Sequence, residues 1–136
     1  MRTTRKQLAY WGLTGVFAAL MLFSAALYLT GALAIQQTMA HLGYPTYLLT
    51  ILGAFKLIGA VALLQNRVPT LREWAYAGFT INLIGATASH AFSGDPIGVS
   101  AVPAMFLVLL AVSYWLKPVR DVRMIHSIDH KTAVAA

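Results

Sequence analysis

The stretch Tyr47–Leu64, YLLTILGAFKLIGAVALL, is an apolar run interrupted by one charge, Lys56, at its middle. A run of this length and composition reads as a transmembrane helix, since about 20 mostly apolar residues cross a hydrocarbon core about 30 Å thick. An ammonium group at the centre of such a span costs about 2.5 kcal/mol or more. Lys56 must therefore face away from lipid, and the residues leave open whether it is architecture or chemistry.

The rest of the chain has the same character. Of its 136 residues, 59% are hydrophobic and 10% charged, against about a quarter charged in soluble domains. This is the composition of an integral membrane protein, and the stretch from Asn66 to Trp74 is too short to separate two domains. The absence of cysteine excludes disulfides, thiolate metal sites and dithiol exchange. The net charge of +6 comes from residues that flank apolar spans rather than alternate with exposed aromatics, so the expected partner is the lipid bilayer and not nucleic acid.

Between Lys6 and Lys56 there is no charged residue, and Tyr44-Pro45 divides that region in two. The pattern predicts helices over about 8–30, 46–64, 74–92 and 98–116, with Pro103 in the first turn of the last, where a missing N–H does little harm. The first run also resembles a secretory signal, with Ala32-Leu33-Ala34 as a small-x-small cleavage site. It is longer than the roughly 7 to 15 residues of a signal core and is read as a retained helix. The expected fold is an all-α membrane protein, a four-transmembrane-helix antiparallel bundle over residues 1–118. Residues 119–136 form a cytoplasmic tail, partly disordered, with a short interfacial helix after Pro118. His126 and His130 in that tail are spaced i, i+4 but lack a third ligand, so no metal site is expected.

Basic residues orient the bundle. Arg2, Arg5 and Lys6 precede the first span, Arg67 and Arg72 separate the second from the third, and Lys117, Arg120, Arg123 and Lys131 follow the fourth. The other two loops hold no lysine or arginine, which places both termini in the cytoplasm. Tyr10, Trp11, Trp74, Tyr76, Tyr114 and Trp115 fall at the cytoplasmic ends, and Tyr28, Tyr44 and Tyr47 at the outer ones, as interfacial aromatics do.

Lys56 lies about ten residues into its span, near the midplane, and Asn82 in the third span reaches a similar depth. Gly78, Asn82, Gly85 and Ser89 recur at helical spacing on one face, and Gly53, Lys56 and Ala60 form a comparable strip, with Gly59 beside it. Small residues let helices approach closely in lipid and polar ones bond across the interface, so the two strips are expected to pack together and enclose a polar pocket. His90 follows near the outer surface, with Asp95 in the next loop and His41 on the same side. A histidine beside a carboxylate can relay protons or bond a carbonyl or small anion; the plainer reading is a helix-end histidine and an Asp-Pro turn.

The segments YWGLTGVFAALMLFSAALYLTG, HLGYPTYLLTILGAFKLIGAVALL and LREWAYAGFTINLIGATASHAFSGDP, closed by SYWLKP, together resemble the DoxX-like family of small four-helix bacterial membrane proteins. The resemblance implies a multi-pass protein of the bacterial cytoplasmic (inner) membrane. It also implies an association with quinone and redox complexes, and matching positions at Gly53, Lys56, Gly59, Glu73, Trp74, His90 and Asp95. Members often carry aspartate where this chain has Asn82, so a simple buried ion pair with Lys56 is not expected here.

The ligand set expected from these residues is Lys56, Asn82, His90, Gly53, Gly78, Gly85 and Ser89, with Glu73, Asp95 and His41 behind them. The leading expectation is an accessory subunit linked to quinone or redox metabolism, with a quinone bound non-covalently, a redox partner subunit and self-association as its partners. A small-molecule or anion transporter and a non-catalytic assembly factor are the alternatives. An autonomous redox enzyme is disfavoured, because there is no haem-ligating histidine pair at midplane depth and no nucleotide-binding glycine pattern.

Overall fold

In hydrocarbon a chain must satisfy its own backbone groups, and a helix does so within one segment. The computed structural model describes residues 2–118 and 130–135. Its elements are α1 (Arg2–Leu29), α2 (Leu33–His41), α3 (Tyr47–Leu64), α4 (Pro69–Phe92) and α5 (Ile97–Leu116). Among the described residues there is no strand. The helices α1, α3 and α5 are long and apolar enough to cross a membrane. With 24 residues α4 is also long, but it carries too many polar side chains to count with them.

Three features differ from the sequence reading. The nine-residue α2 occupies a connection that gave no helical signal, because Gln36, Gln37 and Thr38 dilute a run too short to show a period. The start of α4 is Pro69, ahead of Trp74, since proline suits a first helical turn where its N–H would be unpaired anyway. Pro103 lies inside α5 and not in its first turn. The helix begins immediately after Pro96, so the N–H that Pro103 lacks would have bonded the carbonyl of Val99. The expected tail falls mostly on residues 119–129 and 136, outside the described residues, His126 among them; residues 130–135 are helical and exposed.

The four long helices pack in a ring, α1 against α3, α3 against α4, α4 against α5 and α5 against α1. Cross-contacts give their directions: Gly53 near the start of α3 meets Tyr28 and Leu29 at the end of α1, and Tyr76 near the start of α4 meets Ser113 near the end of α5. Neighbours therefore run antiparallel. The centre is filled by Phe17, Met21, Leu63, Phe79, Leu83 and Leu110 with small alanines between them. Phe17 and Phe79 meet edge to face across the ring, with centroids 5.2 Å apart, a geometry worth about 0.5–1.5 kcal/mol beyond its buried area. The outside is apolar too: Phe55, Ile58, Trp74, Ile81 and Met105 are exposed, as a lipid-facing surface requires.

Glycine decides how close α3 comes to both neighbours. A Cβ on Gly53 would lie 2.8 Å from a Leu29 side-chain carbon, and one on Gly59 2.8 Å from the Phe79 ring. The strips expected to pack face to face meet only in part, Lys56, Gly59, Gly78 and Asn82 lining one cleft. Gly53 is directed at α1, only Gly59 is directed at α4, and a Cβ on Gly78 or Gly85 would touch nothing within 4 Å. The bulky Phe79 ring fills the space against Gly59. Gly59→Ala is expected to destabilise the bundle by about 1–3 kcal/mol through overpacking. Thermal unfolding in detergent should show a lowered midpoint, partly recovered when Phe79→Leu is added.

Candidate functional site

Between α3 and α4 lies a cleft of about 480 Å³, lined by Lys56, Gly59, Trp74, Gly78, Phe79 and Asn82 among others. Its rim residues Phe55, Ile58, Trp74 and Ile81 are exposed, so it opens sideways on the bundle surface. Lys56 is buried, 9% exposed, and its Nζ lies 4.7 Å from the centroid of the Tyr28 ring. Helical side chains lean toward the N-terminus of their helix, and this lean carries the ammonium toward the end of α1 where Tyr28 stands. A cation over an aromatic face gains about 2 kcal/mol when desolvated, less than a carboxylate would supply. Neither Lys56 nor Asn82 makes a hydrogen bond or ion pair with any described residue.

The end of the bundle where α1 and α4 finish holds a second polar group. Here α4 closes in a Schellman motif: Gly94 takes φ +75°, its N–H bonds Ala91 O, and the Asp95 N–H bonds His90 O at 3.1 Å. The same reversal brings the Asp95 carboxylate back onto the His90 ring, with Oδ2 accepting from Nδ1 at 2.6 Å. Gly43 ends α2 in the same way, and His41 at its last turn donates Nε2–H to Asp95 Oδ1 at 2.6 Å. Bonds from His90 and then His41 hold the Asp95 carboxyl below the usual carboxylate range. Because the two imidazoles take different oxygens, the carboxylate spaces them apart, and among the described residues no such group is arranged to hold a metal ion. Tyr44 and Ser89 join hydroxyls beside them at 2.7 Å.

The opposite, basic end carries a third polar group. Ser113 Oγ lies 2.7 Å from Thr14 Oγ1 and 2.8 Å from Tyr76 Oη, all three buried, tying α1, α4 and α5. Arg72 donates to Gln65 O and Asn66 Oδ1, closing the α3–α4 hairpin, and its guanidinium stands 5.7 Å over Trp11. Glu73 pairs with Lys117 across α4 and the end of α5.

The DoxX-like family profile matches residues 12–113, which contain the cleft, the histidine cluster and the Thr14–Ser113–Tyr76 group. The chain belongs to the DoxX-like family. No curated protein and no solved structure matches it. With three helices able to cross a membrane, this DoxX-like protein is a multi-pass membrane protein.

The expected ligand set of this DoxX-like protein is divided among separate places. Lys56, Asn82 and Gly78 line the cleft. Gly53 packs on α1, Gly85 supplies a carbonyl to the Ser89 hydroxyl, and Ser89 bonds Tyr44. His90, Asp95 and His41 come together at the histidine end, and Glu73 lies at the basic end. Thr14 and Ser113 were not legible from sequence, and Tyr28 and Tyr76 were legible only as interfacial aromatics; a hydroxyl in an apolar helix signals a partner without saying which. For the histidine cluster the linkage has a definite sign. The lowered Asp95 pKa contributes stability that is fully present above its ordinary value of 3.8 and is lost as pH falls through the lower native value. Unfolding midpoints against pH should show wild type above Asp95→Asn near neutrality, the gap closing only in strong acid.

Proposed function

We propose that this DoxX-like chain is an accessory subunit linked to quinone and redox metabolism, binding a lipophilic head group in the α3–α4 cleft. It crosses the bacterial cytoplasmic membrane four times with both termini inside. The observation that carries the reading is the cleft itself: about 480 Å³, within the range of about 300–1,000 Å³ usual for small-molecule sites, apolar but for two polar side chains without hydrogen-bond partners. The Lys56 ammonium and the Asn82 carboxamide are hydrogen-bond donors, suited to quinone carbonyl oxygens, and the sideways opening admits a ligand dissolved in lipid. Quinone reduction also consumes protons, and the imidazoles of His41 and His90, both bonded to Asp95, are groups that can carry them. With no cysteine in the chain, the electrons belong to a partner subunit.

The fourth crossing is α4. At about 1.5 Å per residue its 24 residues exceed the core thickness, and its charged groups lie near its ends. In its middle, Thr80 and Thr87 bond carbonyls one turn back at 2.7 and 2.8 Å, which leaves Asn82 as its exceptional polar group. Arg5, Lys6, Arg67, Arg72 and Lys117 gather at one end of the bundle, which the positive-inside rule assigns to the cytoplasm. In a chain without native cysteine, Asn66→Cys should be shielded from a membrane-impermeant thiol reagent in intact cells while Ser93→Cys reacts. The reverse pattern would invert the topology. A quinone analogue should bind the purified protein at least tenfold more tightly than Lys56→Ala, and equal binding by both would remove Lys56 from the site.

A further inference from the structure

We propose that the α3–α4 cleft receives a lipophilic carboxylate, one oxygen against the Lys56 ammonium and the other accepting from the Asn82 carboxamide. This rests on the reading of the cleft as a ligand site and narrows it, since a neutral quinone would satisfy that reading but not this one. Lys56 is more than nine-tenths buried, and its neighbour is a π face rather than an anion. The carboxylates among the described residues are committed elsewhere: Glu73 pairs with Lys117 at the basic end, and Asp95 is held by two imidazoles at the other. A buried cation needs a counter-charge, and the cleft offers room for one from outside the chain.

The chemistry selects among anions. Two donors lining one cleft suit the two oxygens of a carboxylate, which ionises near pH 4, whereas a phenol ionises near 10 and would have to give up its proton first. A phospholipid phosphate is held at the membrane surface, about 15 Å from a residue at mid-depth. A carboxylate on a flexible apolar body can reach Lys56 through the lateral opening and leave its tail among Phe55, Ile58 and Ile81 or in the lipid. Beside Gly78, which lines the cleft, there is open space, since a Cβ there would meet nothing within 4 Å.

The test uses the full chain in lipid nanodiscs, with dibromostearate and its methyl ester as probes. Trp74 lines the cleft, about 12 Å along α4 from Asn82, and Trp11→Phe with Trp115→Phe leaves it as the sole tryptophan of three. Bromine quenching of Trp74 should half-saturate at a concentration at least tenfold lower for the acid than for the ester. Lys56→Gln should bring that ratio close to one, Lys56→Arg should keep it, and Gly78→Leu, which adds a bulky side chain to the cleft lining, should abolish saturable quenching. Equal quenching by acid and ester in the parent protein, which needs no variant to fold, would overturn the proposal, as would an unchanged ratio in Lys56→Gln. Adding a quinone analogue separates the two readings. Acid preference without displacement by the quinone supports the carboxylate and removes the quinone; displacement of acid and ester alike, with no preference between them, overturns the carboxylate and leaves the quinone.

Discussion

An ammonium group midway along an apolar helix constrains what can pack around it. Turned to lipid, Lys56 would sit in hydrocarbon beyond the reach of its own stem, which cannot span the distance to either interface. It is therefore turned inward, and α3 meets its neighbours at two different glycines, Gly53 against the end of α1 and Gly59 against Phe79. The first closes α3 onto Tyr28, whose ring lies beneath the ammonium. The second lets Phe79 reach the centre of the ring and meet Phe17. The same Phe79 lines the cleft, so the cleft and the core share one ring.

Away from that level, polar groups are sorted to the two ends. The basic end is tied by hydroxyls and by Arg72, whose guanidinium serves the α3–α4 hairpin and the Trp11 face together. At the other end three helix termini close through glycines of positive φ, Gly31, Gly43 and Gly94. Two of those reversals deliver His41 and Asp95 to His90, so a backbone requirement sets the geometry of a side-chain cluster. Asp95, 13% exposed, links His90, 17% exposed, to His41, whose side chain is 53% exposed, so the cluster reaches solvent through His41.

The apolar runs and their separators announced the long helices, because hydrocarbon leaves the backbone little alternative. Pro103 and α2 escaped that reading for different reasons. Proline is tolerated inside a helix whose neighbours are packed, and a short helix without caps has no period to read. Lys56 and Asn82 were legible as companions at one depth, and they do line one cleft. The strip Gly78, Asn82, Gly85 and Ser89 was legible as a face but not as a gap. Spacing tells which residues point the same way, whereas the partner opposite each of them is set by packing between helices.

Composition and periodicity alone determined an all-helical membrane chain with an isolated lysine deep in one helix and its other charges at the ends, since these follow from transfer energies that act residue by residue. The tertiary structure decided what Lys56 touches, which glycine faces which neighbour, and that His41, His90 and Asp95 share one carboxylate. Those outcomes depend on the rotation of each helix about its axis and on the closure of its last turn. Both are set by side-chain packing between segments far apart in the chain.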